Sequence, residues 1–142
     1  VIELSMDLLN NIAVEMDNLV CCHGDVNLGN ILISDHHKTS TAFLIDWEYA
    51  CLAESEYDIA MCGAINNLTN SQITTLCDLY QQNAINGCSK IANISPIKVT
   101  RYLKLCNLIN ALWFLNANLN TEAKKLQSHW MHEVTTILSG HS

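Results

Sequence analysis

The sequence predicts an α+β fold that is mainly helical and carries one small β-hairpin. Two short apolar runs, at residues 31–33 and 42–45, flank the polar segment 35–41, a pattern typical of a hairpin. The remaining chain is long enough for several helices, and it contains residues typical of helix starts and helix ends. With 142 residues, 49% hydrophobic and 15% charged, the chain suits one folded domain.

The segment before the hairpin combines a helix with a buried strand. Residues 2–17 place Ile2, Met6, Leu9, Ala13 and Met16 on one stripe, which predicts an amphipathic helix. The short apolar run 19–22 then predicts a strand that leads into the loop at residues 23–30.

After the hairpin the chain is predicted to be helical. Residues 51–57 are acidic and predicted to be irregular, and Asp58 is expected to open a helix to about residue 68. Ser95 and Pro96 are a strong helix start, as N-cap and first helical residue. The further helices are expected at residues 71–85, which Asn86 and Gly87 end, at 96–116 and at 121–138.

Composition excludes several classes of function. Seven Lys and Arg residues and a net charge of -7 argue against a nucleic-acid partner. The apolar stretch 103–119 is interrupted by four Asn residues and Lys104, so no membrane span is predicted. Seven cysteines without a Cys-x-x-Cys pair predict neither a zinc site nor a thioredoxin-like motif, and favour a cytoplasmic protein.

The chemistry is concentrated in residues 23–32 and 44–48. His23, Asp25 and Asn30 follow the spacing His-x-Asp-x-x-x-x-Asn, and Asp46 comes after the second hairpin strand. Phosphoryl transfer needs an acceptor hydroxyl held in line with the phosphate, and Mg²⁺ held by hard oxygen ligands. Asp25 can orient the hydroxyl and accept its proton, while Asn30 and Asp46 can hold the metal.

These motifs resemble the aminoglycoside phosphotransferase and choline kinase family. Asp46-Trp47-Glu48-Tyr49 is similar to the small-molecule branch, where protein kinases have Asp-Phe-Gly. The resemblance implies the mainly helical C-terminal lobe of a protein-kinase-like fold over residues 1–142, with Mg²⁺ as cofactor and ATP as phosphate donor. It implies supporting roles for His23, Glu48 and Asp58, the last through hydrogen bonds to the loop backbone; a plain helix cap at Asp58 would look the same.

The resemblance also implies a second lobe. No Gly-rich phosphate loop precedes the motif, and Lys38 is the only lysine before residue 90. We therefore expect an N-terminal lobe that clamps the nucleotide outside this chain, and an inactive isolated chain.

The acceptor is expected to be a small cationic alcohol. Trp113 resembles the C-terminal Trp segment of choline kinases, Trp130 could add a second aromatic wall, and Glu48 or Glu54 could supply charge. A core position for Trp113 is the alternative. Asn110 stands where choline kinases commonly have another Trp, so choline, thiamine or another amino alcohol stay open. A catalytically weak binding module and an aminoglycoside-type acceptor are the alternative functions.

Overall fold

The computed structural model describes Asn10, Ile12 and residues 14–36, 39–87 and 93–116, with His132, Thr135 and Thr136. Four strands precede three helices in the described chain. They are β1 Leu19–Cys22, β2 Ile31–His36, β3 Thr39–Leu44, β4 Cys51–Glu54, α1 Ser55–Ile65, α2 Asn70–Gly87 and α3 Pro96–Asn116. Two short 3₁₀ turns, Met16–Asn18 and Leu28–Asn30, lie before β1 and β2.

The predicted hairpin is present. β2 and β3 pair antiparallel from Ile31 opposite Leu44 to His36 opposite Thr39, so both strands are longer than the apolar runs indicated. A backbone hydrogen bond of 2.9 Å from Ile45 N to Asn30 O continues the pairing beyond the strands. The start of β2 and the end of β3 therefore lie side by side, next to the end of the loop at residues 23–30.

The prediction of an irregular segment at residues 51–57 is wrong. Cys51–Glu54 forms β4, which pairs antiparallel with β1 from Leu19 opposite Glu54 to Cys22 opposite Cys51. Helix α1 then begins at Ser55, three residues before the expected start at Asp58. Pairing with a strand about thirty residues away sets this conformation, and local composition carries no signal for it.

The core lies between α1 and α3, with α2 against one side. It includes Ile59, Ala60 and Ala64 of α1, and Val99 and Cys106 of α3. Ala60 and Cys106 are fully buried, which allows the two helices to approach closely. This packing fixes α1, and with it the two carboxylates of its first turn, relative to the strands.

The helix predictions after residue 70 are confirmed within the described chain. The helix expected at 71–85 spans Asn70–Gly87, and the helix expected at 96–116 is Pro96–Asn116. Ser95 Oγ accepts a hydrogen bond of 3.4 Å from Lys98 N, as an N-cap does. Most of the helices expected at 2–17 and 121–138 lies outside the described residues. The first helix does not reach residue 17 as predicted, because Val14 and Glu15 are not helical and Met16–Asn18 is a 3₁₀ turn. No described helix is both long and apolar enough to span a membrane.

Candidate active site

The loop at residues 23–30 connects β1 to β2 and begins with a sharp turn. Gly24 has a φ of 79°, in the left-handed region that glycine adopts at little cost. A Cβ atom built on Gly24 would lie 2.5 Å from the carbonyl oxygen of Tyr49. Glycine is therefore required here on two grounds, and the turn brings the loop against the segment that follows β3.

Asp58 of α1 holds the start of this loop. Its Oδ2 accepts a hydrogen bond of 2.7 Å from His23 N, and its Oδ1 accepts one of 2.8 Å from Gly24 N. Two backbone donors on one carboxylate form a charge-assisted pair that fixes the direction of the loop.

His23 connects the loop to the end of the hairpin and is buried. Asp25 N donates to His23 Nδ1 at 3.2 Å, so Nδ1 is an acceptor. The ring proton then lies on Nε2, which donates to Ile45 O at 2.8 Å. The ring of Trp47 packs edge-on against His23 at a centroid distance of 4.7 Å. His23 thus positions the loop at residues 23–30 against the segment that follows β3.

The Asp25 carboxylate is oriented by two amides. Its Oδ2 accepts hydrogen bonds from Asn27 Nδ2 at 3.1 Å and from Asn30 Nδ2 at 3.0 Å. Asn30 Nδ2 also donates to the Asp25 carbonyl oxygen at 3.0 Å. One carboxylate oxygen is therefore fixed, and the other is left for a proton or a hydroxyl group.

Asp46 follows β3 in an unusual backbone conformation. Its φ is 65°, a left-handed value that Asp tolerates better than most residues. The preceding residue, Ile45, donates to the backbone of Asn30, so Asn30 and Asp46 stand at the same end of the hairpin. Both side chains are at least partly accessible.

These residues fit an Mg²⁺ ion that the substrate helps to bind. Because the Asn30 amide nitrogen is directed to Asp25, its amide oxygen is the atom that can ligate a cation. Asp46 offers an exposed carboxylate. Within the described residues no three His, Cys, Asp or Glu side chains cluster as a metal site. Mg²⁺ commonly takes one or two protein oxygens and completes its shell with phosphates and water.

A cavity of about 530 Å³ opens beside Asp25. One wall comes from the loop and from Glu48 and Tyr49, and the opposite wall comes from α1 and α3. Burial raises the pKa of Tyr57, in the α1 wall, to about 12, so its hydroxyl stays protonated at neutral pH. A volume of this size suits a small organic molecule.

Trp113 lies in the wall of this cavity and is 57% exposed, so the core alternative is wrong. Its ring packs edge-on against Phe114 at 5.1 Å. Trp130 lies outside the described residues. Glu54, the other candidate for charge, is 1% exposed and bound to Lys98 Nζ at 2.5 Å, so it does not face the cavity.

Sequence reasoning missed Asn66, just after α1. Asn66 Nδ2 donates to Val26 O at 2.8 Å, and its Oδ1 accepts from Leu28 N at 2.9 Å. The side chain therefore holds the middle of the loop as Asp58 holds its start. A polar residue after a helix is too common to have pointed to this contact.

Comparisons with known proteins agree with the resemblance. The model of the family described as "Phosphotransferase enzyme family" (APH) matches residues 3–88. The "Probable choline kinase 2" of Arabidopsis thaliana is 36% identical over 61 residues, which are 42% of this chain and 17% of that protein.

One solved structure shows the fold. An ethanolamine kinase of Plasmodium vivax superposes with a TM-score of 0.56 over 95% of this chain and 37% of its own length, at 16% identity. This chain thus spans well under half the length of either relative. It is a small α+β unit that resembles part of the ethanolamine kinase structure. The family match covers more than half of the sequence, and the chain therefore belongs to the phosphotransferase enzyme family.

Proposed function

We propose that this chain carries the base, the metal ligands and the acceptor pocket of an ATP- and Mg²⁺-dependent phosphotransferase that acts on the hydroxyl of a small cationic alcohol. The observation that supports this most directly is the position of Asp25. Its carboxylate is fixed by Asn27 and Asn30 and also lines a cavity of substrate size. A group that deprotonates an acceptor must lie within hydrogen-bond reach of it.

Asp25 would act as the base. A hydroxyl in the cavity can donate to its unfixed oxygen, which orients the lone pair of the hydroxyl oxygen toward the phosphate. As the new oxygen–phosphorus bond forms and the bond from the γ-phosphorus to the bridging oxygen of ATP breaks, ADP leaves and the hydroxyl proton passes to Asp25. The Asn27 and Asn30 amides keep the carboxylate from turning away, and so hold the reacting geometry before substrate arrives.

Asn30 and Asp46 would hold the metal, with His23 and Asp58 as positioning residues. A bound Mg²⁺ would neutralise negative charge on the phosphate oxygens of the nucleotide. Asn30 ends the loop that carries Asp25, and Asp46 follows β3 at the same end of the hairpin, next to the Ile45–Asn30 backbone hydrogen bond. The short contacts of His23 and Asp58 fix both ends of this arrangement.

The cavity favours a cationic acceptor. Asp25 and Glu48 contribute carboxylates to it, and Trp113, Tyr49 and Tyr57 contribute aromatic rings. Carboxylates attract a cation by charge and aromatic faces attract it through their quadrupole. Choline, thiamine and other amino alcohols share this chemistry, and one relative is named as a choline kinase and another as an ethanolamine kinase.

The chain would work as the C-terminal lobe of a protein-kinase-like enzyme. It corresponds to 37% of the length of the ethanolamine kinase, which leaves room for a nucleotide-clamping lobe in the complete protein. Leu32 and Phe43 lie opposite each other on one face of the hairpin and are 51% and 54% exposed, and Ile33, on the other face, is 71% exposed. Such exposed apolar side chains are typical of a surface that another part of a protein covers.

Three substitutions in the full-length protein test the assignment. Asp25→Asn should lower kcat by about 10² to 10⁴ and leave nucleotide affinity within a few-fold, because it removes only the base. Asp46→Ala should weaken Mg²⁺-nucleotide binding as well as turnover, and Asn30→Ala should do so more mildly and recover partly at high Mg²⁺.

Asp78→Asn, on the exposed face of α2, is the matched control and should keep wild-type rates. The measurements are kcat, the nucleotide Kd and the melting temperature of each variant. If Asp25→Asn keeps a near-normal kcat, the base assignment fails and a binding module becomes the better description.

A further inference from the structure

Asn110 occupies a place in the cavity that the proposed mechanism does not use. It lies on α3 one turn before Trp113 and Phe114, and all three line the cavity. Helical residues three and four apart share a face, so Asn110 stands beside the aromatic wall. Its other neighbours in that wall are apolar, namely Ile65 and Ile109.

The amide of Asn110 is unsatisfied. Its Nδ2 is shielded from solvent and has no hydrogen-bond partner in the part of the chain that the structure describes. A buried donor without a partner opposes folding, and a residue such as Leu would fill the same space without that penalty. The side chain as a whole is partly accessible at the cavity wall. Because χ2 of Asn is a soft torsion, the amide can turn its N–H groups toward a ligand.

The missing partner must be a hydrogen-bond acceptor, since an amide nitrogen only donates. A quaternary or protonated amine cannot supply one. A carboxylate on the ligand would be repelled by Asp25 and Glu48, which line the same cavity. A neutral oxygen, as in a hydroxyl or ether group, meets both conditions.

We propose that Asn110 determines specificity by donating a hydrogen bond to a second, neutral oxygen of the acceptor, one that is not phosphorylated. The substrate class is then an amino alcohol with at least two oxygens, such as an amino diol. This inference rests on the proposed function and narrows its acceptor.

The test uses two alcohols that differ by one hydroxymethyl group, 2-aminoethanol and 2-amino-1,3-propanediol. Their kcat/KM with ATP and Mg²⁺, and their Kd by calorimetry, are measured on the full-length protein. We expect a preference for the diol of about tenfold or more, the size expected from one hydrogen bond to a buried donor. Asn110→Leu removes the donor and should reduce this ratio toward one.

Stability separates this role from a structural one. Without ligand, Asn110→Leu should melt no lower than wild type, because the unsatisfied donor is gone. Ile109→Val, on the same wall, is the control and should change both alcohols by the same factor.

A diol ratio near one in the wild type, or a ratio that Asn110→Leu leaves unchanged, would overturn the inference while phosphorylation of either alcohol still supports the proposed function. If neither alcohol, nor choline, nor thiamine is bound or phosphorylated, the proposed function fails, and the specificity role fails with it.

Discussion

At the scale of single residues, the site depends on side chains that hold backbone groups in place. Asp58 accepts two backbone N–H groups, and His23 joins the loop to the Ile45 carbonyl. Neither side chain lines the cavity among the described residues. Their contribution to rate is therefore expected to act through the position of Asp25.

Asp58→Asn tests this positioning. An amide has one oxygen, so only one of the two backbone donors at His23 and Gly24 keeps its acceptor, and the other then faces an N–H group. We expect a loss of about 1–3 kcal/mol in the free energy of unfolding, the usual effect of leaving a donor unpaired. The kcat should fall while the KM for the alcohol changes little.

Chemical denaturation and steady-state kinetics of the full-length variant measure both effects, with Asp78→Asn again as the matched control. If Asp58→Asn lowered stability but left kcat unchanged per folded molecule, the contacts of Asp58 would stabilise the fold without influencing the position of Asp25.

Sequence alone could predict the local part of this site. Asp25 and Asn30 are five residues apart in one loop, and their hydrogen bond follows the motif spacing closely. Asn66 is forty residues from Val26, and its contact depends on how α1 packs against the loop. No local pattern encodes that distance, which is why the residue was missed.

At the scale of elements, a buried ion pair joins β4 to α3, and the same carboxylate holds the segment just before β1. Glu54 accepts hydrogen bonds from Lys98 Nζ at 2.5 Å, Tyr102 Oη at 3.0 Å and Glu15 N at 3.0 Å. The segment 51–57 looked irregular because its acidic residues are unusual in a strand. One of them is instead neutralised by a lysine 44 residues away, a partner that composition cannot reveal.

The ion pair makes stability depend on pH. Burial alone would raise the pKa of Glu54, but the hydrogen bonds from Lys98, Glu15 N and Tyr102 outweigh it and lower that pKa. Burial alone would lower the pKa of Lys98, and its bonds to the two carboxylates raise it instead. Glu54 therefore stabilises the fold above its unfolded pKa and loses this effect as pH falls through its lower folded pKa. Lys98 stabilises below its unfolded pKa and loses the effect as pH rises through its higher folded value.

Glu54→Gln should remove the part of the stability loss at acid pH that comes from protonation of Glu54. We expect a loss of about 3 kcal/mol at pH 7, because Lys98 stays largely buried with only exposed Glu15 as a charged partner. The decrease in unfolding free energy between pH 5 and pH 3 should be smaller in the variant than in wild type. Urea titrations at several pH values measure this. Parallel pH profiles for the two proteins would show that Glu54 is not a source of the acid sensitivity.

At the scale of the whole molecule, the chain has a complete cavity but an open hairpin face. The cavity walls come from the loop, α1 and α3. The exposed apolar side chains of β2 and β3 lie on a different element, and nothing among the described residues covers them. The residues proposed to bind the acceptor thus belong to this chain, whereas nucleotide binding would need further residues besides Asn30 and Asp46.

Binding and turnover should therefore separate in the isolated 142-residue chain. We expect it to bind amino alcohols within a few-fold of the affinity of the full-length protein, because the described lining of the cavity already includes the carboxylates and the aromatic rings proposed to bind them. We expect little or no phosphorylation with ATP and Mg²⁺, because the contacts that clamp the nucleotide would come from outside it.

Calorimetry with 2-amino-1,3-propanediol and a radiolabelled phosphate assay measure the two properties on the same sample. The full-length Asp25→Asn variant is the control for lost turnover, since it lacks the base and keeps every contact that would clamp the nucleotide. Turnover by the isolated chain at a rate near that of the full-length protein would show that these residues form a complete phosphotransferase, and the two-lobe proposal would then be wrong.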